Sequence, residues 1–203
     1  MTLEVKVSKK LVPYALAYRE LRKRVDSIKK HKSKDLLWIL EHPLTYTTGI
    51  RSNEKDILDK KITLTKTNRG GKITLHNPGQ KVIYFVLDLN KRKKDIRNLV
   101  KNIENSIIEF LKIYQIDSYA DKKNIGIWVN KKKIAAIGIR VTQWIAYHGC
   151  SININNSLNP YQKIIPCGLD NQKVTSVKNE IKIDIKNVEN NLKRIFIKNL
   201  ENI

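Results

Sequence analysis

GIWVNKKKIAAIGIRV, residues 126–141, contains two runs of β-forming residues on either side of a polar turn. This pattern is typical of a hairpin, and we expect Lys133 to begin its second strand while Lys131 and Lys132 lie in a solvated turn. WIAYHGCSININ, residues 144–155, continues in the same style and predicts a further strand. The middle of the chain is therefore predicted to form a sheet.

The flanking segments predict more strands and the helices that cover them. Short apolar runs ending in turns indicate buried strands within DLLWILEHP (35–43) and KVIYFVLDL (81–89). Apolar residues at helical spacing predict helices over residues 13–30, 95–114 and about 185–200. We expect an α/β (α+β) fold with a central mixed sheet flanked by helices.

The length and composition indicate one soluble domain, residues 1–203. Hydrophobic residues make up 41% of the chain and charged residues 29%, as expected for a globular protein. Neither a signal peptide nor an apolar run of membrane-spanning length is evident, so we expect a cytoplasmic protein without a membrane anchor. Two cysteines cannot build a disulfide framework.

The net charge of +21 has two explanations. It can attract an acidic partner, because opposite charges steer association. It can also reflect A/T-rich codons, since Lys, Asn and Ile are abundant along the whole chain. Charge alone would also fit a basic RNA-binding module, although no aromatic-rich RNA motif is present.

Two further loops and the last cysteine carry unusual residues. NRGGKITLHNPGQ (68–80) combines Arg69, two glycines and His76, and AYHGCSIN (146–153) contains His148 and Gly149. Cys167 lies between Pro166 and Gly168. By itself this context favours a small buried hydrophobe over a nucleophile, because most free cysteines are buried.

Histidines and a cysteine could in principle form other kinds of site. A metal site from His42, His76, His148 and Cys167 has the right residue types but no diagnostic spacing. A Cys–His hydrolase with His76 or His148 as the base is also conceivable. Most isolated histidines are structural, so we expect neither kind of site.

Five segments in the same order resemble the lipoyl(octanoyl) transferase family, also called lipoate-protein ligase B. LLWILEHPLTYTTG is similar to its strand-EHP-turn segment, and RGGKITLHNPGQ to its RGGxxTxHGPGQ block. The hairpin is similar to its KIAxxG segment, YHGCSININ to HGxxLN, and IIPCGLDNQKVTSV to PCG…VTS. Together these blocks span about residues 11–177.

The resemblance implies a biotin/lipoate protein ligase-like fold and a defined reaction. Members move an octanoyl group from acyl carrier protein to a lysine of lipoyl domains, the first step of endogenous lipoate biosynthesis. The acceptors are lipoyl domains of 2-oxo-acid dehydrogenase complexes and the H protein of the glycine cleavage system. Neither ATP nor a metal is implied, because the donor is already a thioester, and we expect a monomer.

By motif match, Cys167 would carry the acyl group as a thioester and Lys133 would activate it. This assignment suits the chemistry, because a thiol with a pKa of about 8.5 needs a nearby cation to ionise at neutral pH. The family's pocket positions carry over as residues 69–76, 136–138 and 149–151: Arg69, Gly70, Gly71, Lys72, Ile73, Thr74, Leu75, His76, Ala136, Ile137, Gly138, Gly149, Cys150 and Ser151.

Three positions depart from the family pattern. Asn77 replaces a usual Gly, and we expect it to keep the turn because Asn tolerates a positive φ. Leu75 replaces a usual Tyr, and Cys150 replaces an apolar residue and is expected to be structural. An ATP-dependent lipoate or octanoate ligase of the same fold stays an alternative, although it would not need Cys167 and the PCG block argues against it. An amidotransferase between lipoyl domains would also use a cysteine, but its blocks resemble these segments less.

Overall fold

The computed structural model describes residues 3–121, 123–165, 173–182, 184–201 and 203. Its centre is a seven-stranded sheet in the order β1-β2-β6-β10-β9-β8-β7. In chain order these strands are β1 Leu3–Val7, β2 Asp35–Leu40, β6 Gln80–Asp88, β7 Tyr119–Ala120, β8 Ile127–Val129, β9 Lys132–Thr142 and β10 Ile145–Asn153. Only β1 and β2 pair in parallel, so the predicted mixed sheet is confirmed.

Helices cover both faces of this sheet. They are α1 Tyr14–Lys29, α2 Ile96–Ile113, α3 Val177–Glu180 and α4 Val188–Glu201. Leu37, Ile39 and Phe85 face α2 and α4 in one apolar cluster, whereas Leu36, Trp38 and Tyr84 face α1 in another. Because side chains alternate between the faces of a strand and both faces are covered, the middle parts of β2 and β6 form the continuous hydrophobic runs Leu36–Leu40 and Val82–Leu87.

The predicted elements agree with the structure except at a few ends. The turn of the hairpin is Asn130 and Lys131, both with positive φ, so β9 begins at Lys132 rather than Lys133. This two-residue turn suits the right-handed twist of the paired strands. The last helix begins at Val188 rather than at about residue 185, and it buries Leu192, Ile195, Phe196 and Leu200.

A second, three-stranded sheet was not expected. It has the order β4-β3-β5, formed by β3 Thr45–Thr48, β4 Leu64–Lys66 and β5 Thr74–His76. The sequence had predicted loops at β3 and β5. Runs of three or four residues show no usable periodicity, and these strands depend on pairing with each other and on the apolar cluster around Tyr46, Ile73 and Leu75.

Asn77 keeps its turn for a different reason from the one expected. The left-handed residue of the turn is Gly79, at φ +86°, and Asn77 is not among the residues with positive φ. Asn77 is buried, and its amide donates to the carbonyl of Ser157 at 2.8 Å and accepts from Asn156 at 2.9 Å. The expectation of a positive φ at Asn77 was therefore wrong.

The helices of the described ranges are all too short or too polar to cross a membrane.

Candidate active site

Lys133 is buried at the start of β9, with 6% of its surface exposed. Its Nζ donates to the carbonyl of Ile125 at 2.8 Å and lies 5.3 Å from the centre of the Trp128 ring. Gly126 makes room for the side chain, because a Cβ there would come within 2.4 Å of Lys133 Cε. The hairpin thus encloses the ammonium group instead of leaving it in solvent.

The two neighbouring lysines have other environments. Lys131 is exposed in the turn, and Lys132 lies within β9 with its Nζ 3.4 Å from Glu180. Strand alternation explains the difference, because consecutive side chains of β9 point to opposite faces of the sheet. Lys133 is therefore the one of the three that faces the interior, as the sequence predicted.

Cys167 lies outside the described residues, and its role stays a prediction. The chain on either side of it is held in defined places. The amide of Ile165 donates to the carbonyl of Asp56 at 2.8 Å. The segment 173–175 runs beside Lys133, whose amide donates to Lys173 O and whose carbonyl accepts from the amide of Thr175, both at 2.9 Å.

Most of the predicted pocket residues surround one cavity, the first cavity, between β5, β9, β10 and the loop of residues 69–73, which contains Gly70 and Gly71. Twelve of the fourteen line it: Arg69, Gly71, Lys72, Ile73, Thr74, His76, Ala136, Ile137, Gly138, Gly149, Cys150 and Ser151. A smaller second cavity reaches Lys133 and shares Thr74, Ala136 and Ser151 with the first. The sheet therefore joins the pocket positions to the predicted catalytic lysine.

Gly70 and Leu75 do not line the cavity. The amide of Gly70 donates to the carbonyl of Ile139 at 3.0 Å, and a Cβ on Gly70 would approach that oxygen to 2.9 Å. Leu75 is fully buried in the cluster of the smaller sheet. Gly70 thus permits close approach of two backbones, and Leu75 supports the wall from behind.

Arg69 fixes the glycine-containing loop from inside. It is 8% exposed, and its guanidinium donates to the carbonyls of Thr47, Gly70 and Lys72 at 2.8–3.0 Å. A planar guanidinium with five N–H donors suits this task, because it can satisfy several carbonyls at fixed angles. The Arg69 guanidinium is therefore held in place by backbone carbonyls.

Four residues that line the first cavity were not predicted to do so from the sequence: Tyr14, Val82, Tyr84 and His148. Three of these look like ordinary core positions in the sequence. His148 has φ +71° within β10. Its ring stacks on Tyr147 at 4.8 Å and on Tyr18 of α1 at 5.7 Å, although strand alternation would place it on the other face with Ala146 and Cys150.

His42, His76 and His148 form a buried histidine cluster with the tyrosines of this wall. The rings of His42 and His76 are 5.4 Å apart, and His76 stacks on Tyr14. Burial lowers the pKa of His42 to about 4 and those of His76 and His148 to about 3, so all three are neutral at pH 7. They act here as neutral hydrogen-bonding groups.

The second cysteine has the properties of a core residue. Cys150 is buried in the apolar cluster between the sheet and helices α2 and α4, and burial raises the pKa of its thiol. A thiol that does not ionise is a poor nucleophile. Within the described ranges, no group of three or more His, Cys, Asp or Glu side chains is arranged to hold a metal ion.

Comparisons with known proteins agree with this geometry. Residues 13–197 match the family described as the lipoyl protein ligase A/B catalytic domain. The chain is 40% identical to the octanoyltransferase of Wolbachia sp. subsp. Brugia malayi, covering 95% of this chain and 97% of that protein. It is 42% identical to the octanoyltransferase of Anaplasma phagocytophilum, covering 88% of each.

Solved structures show the same fold at low sequence identity. A lipoate-protein ligase A bound with ATP superposes with a TM-score of 0.76 at 15% identity, covering 98% of this chain and 86% of that one. A biotin acetyl coenzyme A carboxylase synthetase from Helicobacter pylori gives a TM-score of 0.56 at 11% identity, covering 98% and 74%. The expected ligase-like fold is confirmed, and the chain belongs to the lipoyl protein ligase A/B family, among its octanoyltransferases.

Proposed function

We propose that this protein transfers an octanoyl group from acyl carrier protein to a lysine of lipoyl domains through a thioester on Cys167. The observation that carries the proposal is the buried ammonium of Lys133. It lies at the wall of a cavity that adjoins the pocket and beside the chain that follows Cys167. The octanoyltransferase relatives support the reaction type.

The first step is an exchange of thioesters. The Cys167 thiolate attacks the octanoyl carbonyl, a new carbon–sulfur bond forms, and the bond to the carrier's sulfur breaks. The carrier leaves as a thiolate and takes up a proton. Lys133 favours the attacking thiolate electrostatically, because an adjacent ammonium lowers the pKa of a thiol.

The second step forms the amide. The acceptor lysine attacks as a neutral amine, the carbon–nitrogen bond forms, and the bond to the Cys167 sulfur breaks. The amine proton passes to the departing Cys167 thiolate, or to Lys133 once that ammonium has given its own proton to the departing carrier thiolate. Splitting one transfer into two steps in this way gives ping-pong kinetics.

The octanoyl tail would occupy the first cavity. Its wall offers Ile73, Val82 and Ile137 together with glycines, which let the backbone approach a narrow chain. Burying six methylenes contributes about 5 kcal/mol at ~0.8 kcal/mol each.

The protein partners are taken to be acidic: the acyl carrier protein and the acceptor domains, including the glycine cleavage H protein. Part of the +21 charge would therefore speed their encounter with the enzyme. We propose that the enzyme acts as a cytoplasmic monomer without a cofactor.

Intact mass spectrometry after mixing with octanoyl-acyl carrier protein tests the proposal. The protein should gain one octanoyl group without ATP, and peptide mapping should place it on Cys167. Cys167→Ser should abolish the thioester adduct, whereas Cys150→Ser, the matched control, should keep it. An adduct confined to Cys150, or transfer that requires ATP, would refute this function.

A further inference from the structure

A buried network of amides connects the two parts of the proposed site. Its centre is Asn153, the last residue of β10, which is 4% exposed and lines the cavity beside Lys133. Asn153 Nδ2 donates to the carbonyl of Thr175 at 2.9 Å. Its Oδ1 accepts from Gln80 Nε2 at 2.9 Å. A single side chain thus contacts both the segment after Cys167 and the first residue of β6.

Gln80 extends the network to the first cavity, in which the acyl chain is proposed to bind. Gln80 is fully buried, its Nε2 also donates to the carbonyl of Leu75 at 3.3 Å, and its Oε1 lies 2.7 Å from His76 Nδ1. His76 lines the first cavity. The network therefore runs without interruption from the cavity wall to the chain beside Lys133.

Backbone carbonyls fix the orientation of the Asn153 and Gln80 amides. Carbonyl oxygens only accept hydrogen bonds, so the carbonyls of Thr175 and Leu75 require the amide nitrogens of Asn153 and Gln80 to face them. The oxygen of Gln80 then faces His76, which must carry its proton on Nδ1. Because burial keeps His76 neutral, its other nitrogen, Nε2, carries a lone pair.

The same network holds the chain next to Lys133. The amide of Thr175 donates to the carbonyl of Lys133, while the carbonyl of Thr175 accepts from Asn153. Loss of the Asn153 amide would leave a buried carbonyl without its donor. Leaving a buried carbonyl without its donor is unfavourable, so residues 173–175 would open more often.

We propose that Asn153 and Gln80 are positioning residues: they fix the tautomer of His76 at the acyl cavity and the path of residues 173–175 beside Lys133. This inference deepens the proposed transfer reaction and, for its kinetic part, rests on it. Neither side chain takes part in bond making. Their contribution is to keep the cavity wall and the chain beside Lys133 in one relative arrangement.

Amide exchange and nitrogen NMR test the proposal without any substrate. In the unmodified protein, His76 should be the Nδ1–H tautomer. In Asn153→Ala, the amides of Lys133 and Thr175 should exchange at least about tenfold faster, equal to about 1.4 kcal/mol of lost protection. Asn156→Ala is the control within the same network, since Asn156 is an equally buried amide that bonds Asn77 and, at 3.3 Å, Asn153 Oδ1, but leaves the bond from Asn153 Nδ2 to Thr175 in place. Its exchange at both amides should stay within about threefold.

Kinetics then separate positioning from general stability. Asn153→Ala should lower kcat at least about tenfold, with KM for the octanoyl donor within about threefold. Asn156→Ala should lose comparable thermal stability but keep its kcat. Equal losses of kcat in both variants, unchanged exchange in Asn153→Ala, or an Nε2–H tautomer at His76 would overturn the inference. Absence of octanoyl transfer in the unmodified protein would instead refute the proposed function, since exchange and tautomer do not depend on it.

Discussion

Replacing Lys133 by Met separates its charge from its packing. Met has a similar length and is flexible enough to fill the space between Gly126 and the Trp128 ring. The change removes the hydrogen bond to the carbonyl of Ile125, which as a charged pair contributes about 1.5–3 kcal/mol. Relief from burying a charge offsets much of that cost. We therefore expect the fold to persist by circular dichroism.

The reactivity of Cys167 should fall much more than the stability. An ammonium 4 Å from a thiolate contributes about 4 kcal/mol at an effective dielectric constant of 20, the upper limit of the effect. Half of that value already lowers a thiol pKa by about 1.5 units. Without the ammonium, the pKa returns to about 8.5, and only about a tenth of the thiol is ionised at pH 7.5.

The assay is the pH dependence of Cys167 alkylation, followed by peptide mass mapping so that Cys150 is counted separately. Lys133→Met should react several-fold more slowly at pH 7.5 and recover near pH 9.5, where any thiol ionises. Lys131→Met and Lys132→Met are the controls and should keep the original profile. If Lys133→Met also keeps it, or if either control shifts as far, the pairing of Lys133 with Cys167 is wrong.

Four other outcomes follow from the same structure. Gly126→Ala should lower octanoyl transfer at least about tenfold in steady-state assays, because the new Cβ would displace Lys133 and strain a residue at φ +143°. Asn77→Gly should lower the unfolding free energy by about 1–2 kcal/mol in urea titrations, with activity kept, because it loses two buried amide bonds; unchanged stability would contradict this. The three histidines of the cluster have folded pKa values of about 3 to 4, below the unfolded value of about 6.5. Between these values the unfolded chain binds more protons, so the unfolding free energy should fall by at least about 1.4 kcal/mol per pH unit as the pH drops below 6.5. Urea titrations that show no such loss down to pH 4.5 would refute this expectation. Added salt should raise KM for acyl carrier protein and leave turnover at saturation nearly constant, because exposed charges are screened beyond about 8 Å at physiological ionic strength; a constant KM would mean that the charge is compositional.

The sequence determined the elements whose signal is repeated many times along the chain. Helix α2 shows eighteen residues of regular apolar spacing, and β6 contains an unbroken apolar run from Val82 to Leu87, so each could be predicted without its neighbours. The sequence also separated Lys133 from its neighbours, because it directly precedes the apolar run IAAIG, although Lys132 lies in β9 and not in the predicted turn. The five motif blocks led to the correct family because each was read in order with the others.

Only the tertiary structure decided which residues share the cavity. Tyr14 and Tyr84 are indistinguishable from core residues until α1 packs on the sheet beside His42 and His76. Leu75 turns away because β5 pairs with β3, a contact between segments too short to predict singly. Asn77 has no positive φ because Gly79 takes the left-handed position of the turn, leaving the Asn77 amide free to bond residues about eighty positions further along the chain. Local periodicity contains no information about such distant partners, and they are fixed only when the sheet brings them together.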